Sequence, residues 1–277
     1  MSASIRTRRV CDGVWQLTDI LDNRAYLVVG SRRALLVDSM FGLGDLRHAV
    51  RSLCDLPVEV ALTHRHFDHV GGSYQFEHAF MSELEADHFG AERSLGEQGM
   101  AVLEEEGVVE PGEAWAPRSL ETPAIDFVRE GDVFDLGGLG VEVVALGGHT
   151  CGSVGYLVRE RRLLLLGDAV TPVMCLFFGE SLSVTAWRST LEKMAHLPFD
   201  RFYTGHHERS FARSDLPSFM AVADSLDDDR PMRWQNAMLP QFVGSLRVHD
   251  NGDGDDESFR GIITPGLPPG RQHVRRA

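Results

Sequence analysis

Apolar residues run through this chain in short β-like stretches separated by glycine, proline and aspartate, and helical spacing is confined to a few segments. Residues 14–20, 25–30 and 34–38 read as three consecutive strands, with turns at Asp22-Asn23 and Ser31-Arg32. Within 43–54, Leu46, Ala49, Val50 and Leu53 recur at helical spacing, and Pro57 ends that helix before an apolar run at 58–63. A further helix start is expected beyond Gly71-Gly72. The second half repeats the pattern: strands at 128–136 and 141–146 about a glycine-rich turn, then apolar runs at 162–166 and 201–204. Residues 183–196 form an amphipathic helix and 216–226 look helical. Residues 242–248 and 258–264 read as two strands about a very acidic link at 250–257. That link reads as a solvated turn, since it lacks the full ligand pattern of a calcium loop.

One segment breaks the β rhythm. Residues 82–123 are helix-favouring and Glu-rich, with a Pro/Gly-bearing end, and fit a helical insertion better than core sheet. Phe89, Met100 and Trp115 within it either line a substrate pocket or staple the insertion to the body.

The chemistry concentrates at the downstream ends of the apolar runs. Residues 58–63 lead into His64, His66, Asp68 and His69, four ligand-type side chains within six positions. Imidazoles and a carboxylate this close can be aimed at one point only if a positive charge sits there. Three more runs end in a glycine followed by a ligand type: Gly147, Gly148 and His149; Gly167 and Asp168; Gly205 and His206. Residues just past strand ends converge along one rim of a sheet protein, and glycine permits the sharp exits such convergence requires.

The strings THRHFDHVGG, GGHT, LLLLGDAV and YTGHH, with LLVDSMFG upstream, resemble the metallo-β-lactamase-fold superfamily of hydrolases in motif order and interval from about Val14 to His207. The resemblance implies an α+β fold, an αββα sandwich of two mixed β-sheets with outer helices and the metal site along one edge. It also implies a ligand set: His64, His66 and His149 on one metal, Asp68, His69 and His206 on the other, and Asp168 bridging both. Gly147 departs from the proline many members carry before Gly-His-Thr, which touches loop stiffness and leaves the ligands intact. On this reading residues 1–210 form the catalytic domain with its insertion at 82–123. Residues 211–277 form an extension of one helix and a β-hairpin packed on it, ending in a frayed tail.

Two divalent ions sharing a water lower its pKa from about 15.7 to roughly 7, so a metal-bridging hydroxide is the expected nucleophile. The all-nitrogen-and-oxygen donor set suits zinc, with manganese or iron as alternatives. Asp68 and Asp168 are then catalytic as well as ligating. His207 is a candidate proton donor to the leaving group, weighed against a structural role. Asp38 is a candidate acceptor from a ligand imidazole, weighed against a turn aspartate. Cys151 and Cys175 read as pocket wall or core, because Asp168 fills the position where β-lactamases of this fold use cysteine. His48, His78, His88, His196, His249 and His273 have no ligand spacing.

Charge and composition narrow the function. A net charge of −14 disfavours polyanionic partners, so nucleic acid is not expected and a small-molecule substrate is. No apolar stretch approaches membrane-spanning length, and the arginines at the N-terminus precede no apolar signal core. With four scattered cysteines, the expected compartment is the cytoplasm; a homo-oligomer is compatible with the chain. The leading expectation is a binuclear hydrolase of a small thioester or lactone, similar to the glyoxalase II and lactonase branches. The alternatives are a phosphodiesterase or nuclease of the same fold, or an iron-dependent oxidoreductase of the same fold.

Overall fold

The computed structural model describes residues 4–86, 89–110, 122–224, 232–236, 239–249, 260–265 and 274–276. Arg6–Cys11 (β1), Val14–Thr18 (β2), Arg24–Val29 (β3) and Ala34–Val37 (β4) form an antiparallel meander. Val58–Ala61 (β5), His78–Ser82 (β6) and Ala124–Val128 (β7) extend it as parallel neighbours into one mixed sheet. The second sheet holds Val133–Asp135 (β8), Gly140–Ala145 (β9), Val154–Val158 (β10) and Leu163–Leu165 (β11). The chain leaves it for a short strand, Val173–Cys175 (β12), and returns as Arg201–Tyr203 (β13) and Phe211–Ala212 (β14).

Period-two alternation explains how each sheet buries two faces. In β4, Leu35 and Val37 join the core between the sheets, while Ala34 and Leu36 pack outward with Leu46 and Val50 of the helix Leu46–Leu53 (α1). In β10, Val154, Tyr156 and Val158 face the inter-sheet core and Leu157 faces the outer helices. The helix Phe67–Val70 (α2) carries Asp68 and His69 of the first ligand cluster, and Glu83–Ala86 (α3) and Phe89–Glu105 (α4) follow it. Val184–Ala195 (α5) and Leu216–Asp224 (α6) cover the second sheet. The Ser183 hydroxyl caps α5 by accepting the Ala186 N–H at 3.2 Å, and Trp187, Leu191 and Met194 form its buried stripe. The layers are therefore helix, sheet, sheet, helix, as the resemblance implied.

Several features depart from the sequence reading. The helix start expected beyond Gly71-Gly72 is a short 3-10 helix, Gly71–Gln75, that leads into β6. The strand expected over 128–136 is divided between the end of β7 in the first sheet and β8 in the second. β1 is an Arg-rich edge strand, mostly exposed, and carries no hydrophobic period by which to be read. The expected C-terminal hairpin, Val243–His249 (β16) and Arg260–Thr264 (β17), sits in a larger sheet with β12, Met232–Gln235 (β15) and Val274–Arg276 (β18). The order β12-β17-β16-β15-β18 ties the extension to the body through the parallel pair β12 and β17. Residues 274–276, expected as part of a frayed tail, pair parallel with β15. The acidic link at 250–257 and Trp115 lie outside the described residues, as does the Phe89 side chain. Met100 is fully buried with Phe41, Leu43, Phe67 and Leu103, so it staples α4 to the body. The four cysteines are unpaired thiols, and no helix among the described residues is long and apolar enough to cross a membrane.

Candidate metal centre

The ends of β5, β9, β11 and β13 deliver the candidate ligands to one rim, and cross-sheet hydrogen bonds lock the segments that carry them. Thr63 O accepts the Val154 N–H at 2.9 Å and Gly205 O accepts the Arg24 N–H at 2.8 Å. The Tyr26 hydroxyl donates to Thr204 O at 2.8 Å. Glycine is required where these segments touch. Gly167 lies at φ +50° with Thr63 Oγ1 2.2 Å from where a Cβ would stand, and a Cβ on Gly205 would meet the His69 ring at 2.3 Å.

Each ring is oriented by what its outer nitrogen touches. His69 Nδ1 lies 2.9 Å from Asp38 Oδ2, the contact expected of an acceptor carboxylate, so its Nε2 is the nitrogen that faces inward. The Thr63 hydroxyl donates to Asp38 at 2.9 Å, which leaves its oxygen to accept from His64 Nδ1 at 3.0 Å. His149 Nδ1 donates to Cys175 O at 2.8 Å. His66 is turned the other way: its Nε2 meets Glu180 Oε1 at 3.1 Å, and its Nδ1 faces inward. Thr63, Glu180 and the Cys175 carbonyl are partners that the sequence reading did not single out. Glu180 lies more than a hundred residues from His66 and had no local signal, whereas Thr63 adjoins the first ligand and Cys175 was considered only for its thiol.

The inward atoms form two triads. The ligand atoms of His64, His66 and His149 lie within 4.8 Å of one another, as do those of Asp68, His69 and His206. Asp168 lies between them: Oδ2 is 3.2 Å from His206 Nε2 and 3.8 Å from His149 Nε2, and Oδ1 is 3.5 Å from His69 Nε2. His66 Nδ1 and His149 Nε2 are 2.8 Å apart, and His69 Nε2 and His206 Nε2 are 3.3 Å apart. Two imidazole lone pairs cannot face each other at these distances, so a proton or a cation belongs between them. His64 Nε2 is buried with no hydrogen-bond partner, a costly state that a metal ion relieves. The seven side chains therefore fit a metal site.

The charge state agrees. Burial, reinforced by the neighbouring rings, pulls His64 well below the ordinary histidine value and His149 down to about 4, so both are neutral donors at pH 7. Burial would lower His69 and His206 as well, but carboxylates led by Asp168 outweigh it and both are raised. For Asp168 the opposing imidazoles of His206 and His69 outweigh burial and hold the carboxyl well below the usual range.

A cleft of about 740 Å³ opens onto this rim. One wall comes from Phe41, Phe67 and the α4 residues Leu95, Gly96 and Gly99; the other from Phe177, Phe178, Trp234, Leu239 and Phe242. His207 also lines it, with Nδ1 3.0 Å from Thr204 Oγ1, and burial together with His206 holds its pKa down to about 4. Cys175 lines the cleft as a thiol, because burial pushes its pKa up, while Cys151 is half-buried and belongs to none of the clusters that could hold a metal. Arg65, buried beside the cleft, lies 3.1 Å from Glu180 and 3.8 Å from Glu92.

A mixed αββα sandwich with a His/Asp cluster on one rim is the build of a metallohydrolase. A family model described as the Metallo-beta-lactamase superfamily matches residues 19–206, and the chain belongs to that family. It is 30% identical over 165 residues to the acyl-coenzyme A thioesterase MBLAC2 of Homo sapiens, covering 53% of this chain and 59% of that protein. It is 29% identical over 206 residues to a hydroxyacylglutathione hydrolase of Brucella anthropi, covering 69% of this chain and 67% of that one. The chain thus spans about three fifths of the length of the thioesterase relatives it matches. The solved structure of a metallo-beta-lactamase from Pontibacter korlensis is 17% identical, with a TM-score of 0.58 over 80% of this chain and 100% of that chain, a likeness of fold.

Proposed function

We propose that this chain is a binuclear, zinc-dependent hydrolase of small thioesters. The observation that carries the reading is the position of Asp168 between two separate triads of inward-facing donors. His64, His66 and His149 would hold one ion and Asp68, His69 and His206 the other, with Asp168 facing both. When bound, divalent ions supply a Lewis acid and a water acidified toward neutrality.

The protein's own residues do the rest. Asp38, Thr63, Glu180 and the Cys175 carbonyl fix the ring orientations, so the site needs no rearrangement as charge develops. The aromatic walls exclude water from around the acyl group. In the reaction the water oxygen bonds to the acyl carbon and the C–S bond breaks, releasing a carboxylate, a thiol and a proton. His207 is uncharged at neutral pH, so the part proposed for it is a hydrogen bond to the leaving sulfur.

Thioesters are favoured over lactones because the relatives named above cleave thioesters. They are favoured over phosphodiesters because the net charge of −14 repels a polyanion. The test is profiling of the zinc-loaded protein across thioesters, lactones and a model phosphodiester. The expected kcat/KM for thioesters exceeds that for the phosphodiester by about tenfold or more, roughly 1.4 kcal/mol in transition-state binding. The opposite preference at equal metal loading moves the chain to the phosphodiesterase branch. Iron-dependent oxygen consumption without hydrolysis supports an oxidoreductase.

A further inference from the structure

The aromatic side of the cleft is made by residues that neither belong to the metal-site donors nor carry a proton. Phe178 begins it at the reaction centre, its ring 4.5 Å from that of His66 and 5.4 Å from that of His149. Phe177 stacks on Phe178 at 4.2 Å, Phe242 lies 5.6 Å from Phe178, and Trp234 lies 5.0 Å from Phe177. Leu239 continues the same wall. Behind it the third sheet supplies a packed apolar backing that includes Leu246 and Ile263. An aromatic surface whose Phe177, Phe178 and Phe242 rings are half-buried, with the buried Trp234 edging the cleft on a rigid backing, is built to hold an apolar group.

The polar inventory of the cleft narrows the class. Histidines aside, the only cationic side chain lining it among the described residues is Arg65, which lies against Glu180 and Glu92. An anionic acyl tail would find no free counter-ion there, and a cationic one would compete with Arg65 for Glu180 and Glu92, so the desolvation of either would go poorly compensated. Phe177 and Phe178 lie within residues 19–206, the part that matches the family model, while Trp234, Leu239 and Phe242 lie beyond it, so the outer part of this wall comes from the C-terminal extension.

From this we infer that the third sheet is an acyl-binding wall that selects thioesters with an uncharged, extended aliphatic acyl group, Phe178, Trp234 and Phe242 being the residues that set the preference. The inference rests on the thioesterase reading for the reaction, but the wall binds alkyl chains whether or not the bond is cleaved.

Two measurements on the full, zinc-loaded chain separate the two ideas. In the first, octanamide and acetamide, neutral probes with no bond to cleave as a thioester, are titrated by calorimetry. Octanamide binds at least about tenfold more tightly than acetamide, well short of the roughly fourfold per methylene expected of complete burial. Phe242→Ala removes most of that difference, and Phe242→Leu restores it. In the second, acetyl, butyryl and octanoyl thioesters of N-acetylcysteamine are compared. KM falls along the series in the wild type and flattens in Phe242→Ala, so that the kcat/KM advantage of the octanoyl over the acetyl thioester shrinks toward one.

Chain-length-dependent amide binding without hydrolysis of any thioester leaves the wall standing and sinks the thioesterase reading. Thioester hydrolysis with no chain-length dependence in either measurement overturns the wall and leaves the reaction intact. If Phe242→Ala lowers the melting temperature by many degrees, Trp234→Leu takes its place, and unchanged discrimination in both folded variants overturns the inference.

Discussion

The Asp38 carboxylate lies 2.9 Å from His69 Nδ1 through Oδ2, the same oxygen that accepts the Thr63 hydroxyl at 2.9 Å, while Oδ1 takes the Thr63 backbone N–H at 2.7 Å. One carboxylate at the end of β4 thereby orients a ring from each triad, His69 directly and His64 through Thr63. It does so from a left-handed backbone at φ 61°.

Asp38→Asn isolates that role. Asparagine tolerates the left-handed backbone, so the fold is spared, but its NH2 must face a donor at one of the two oxygens. Metal affinity falls about ten- to a hundredfold, as for lost partners of ligating histidines generally. Competition with a chromophoric chelator measures it, and an unchanged affinity removes Asp38 from the metal site.

Asp168→Ala lowers turnover far more than fold stability, because the carboxylate organises the reacting centre while the cores lie between and outside the sheets. Thermal melting and steady-state rates are compared on the same preparation. A variant that melts many degrees lower yet keeps most of its activity when folded contradicts the assignment.

Metal removal and pH are coupled with a definite sign. In the metal-free protein His69 and His206 have raised pKa values, because carboxylates led by Asp168 outweigh burial. Their charge contributes stability that is fully present below the unfolded value, about 6.5, and is lost as pH rises through the raised folded values. In the loaded protein these rings are already deprotonated ligands. The gap in melting temperature between loaded and chelator-treated protein therefore widens from neutral to alkaline pH, and a gap that narrows would count against the site.

Cys151→Ser is expected to be nearly silent in activity and metal content, since Cys151 belongs to none of the donor clusters and Asp168 lies between the two triads. A loss comparable to that of His149→Ala would make the thiol a ligand.

Legibility in the sequence followed how local the physics is. The strand ends were readable because apolar runs stop at glycine and a ligand type follows. α5 was readable because Ser183 caps a stripe of Trp187, Leu191 and Met194. β1 was not, because its first four residues, three of them arginines, are exposed and only Val10 and Cys11 reach the core. β12 carries no readable strand pattern because it is only three residues long and pairs with a strand almost ninety residues away. That Asp38 accepts from some ligand imidazole is suggested by a carboxylate closing an apolar strand, but that the ring is His69 depends on how α2 packs. Glu180 was not legible, since its place beside His66 depends on where the loop after β12 returns, which no short-range pattern encodes.

Metal stoichiometry tests the central claim most directly. Elemental analysis of the purified chain after mild dialysis against zinc-containing and then zinc-free buffer gives two ions per chain if Asp168 stands between two filled triads. One ion per chain at saturation, with Asp68 and His206 not coordinating, contradicts the binuclear account.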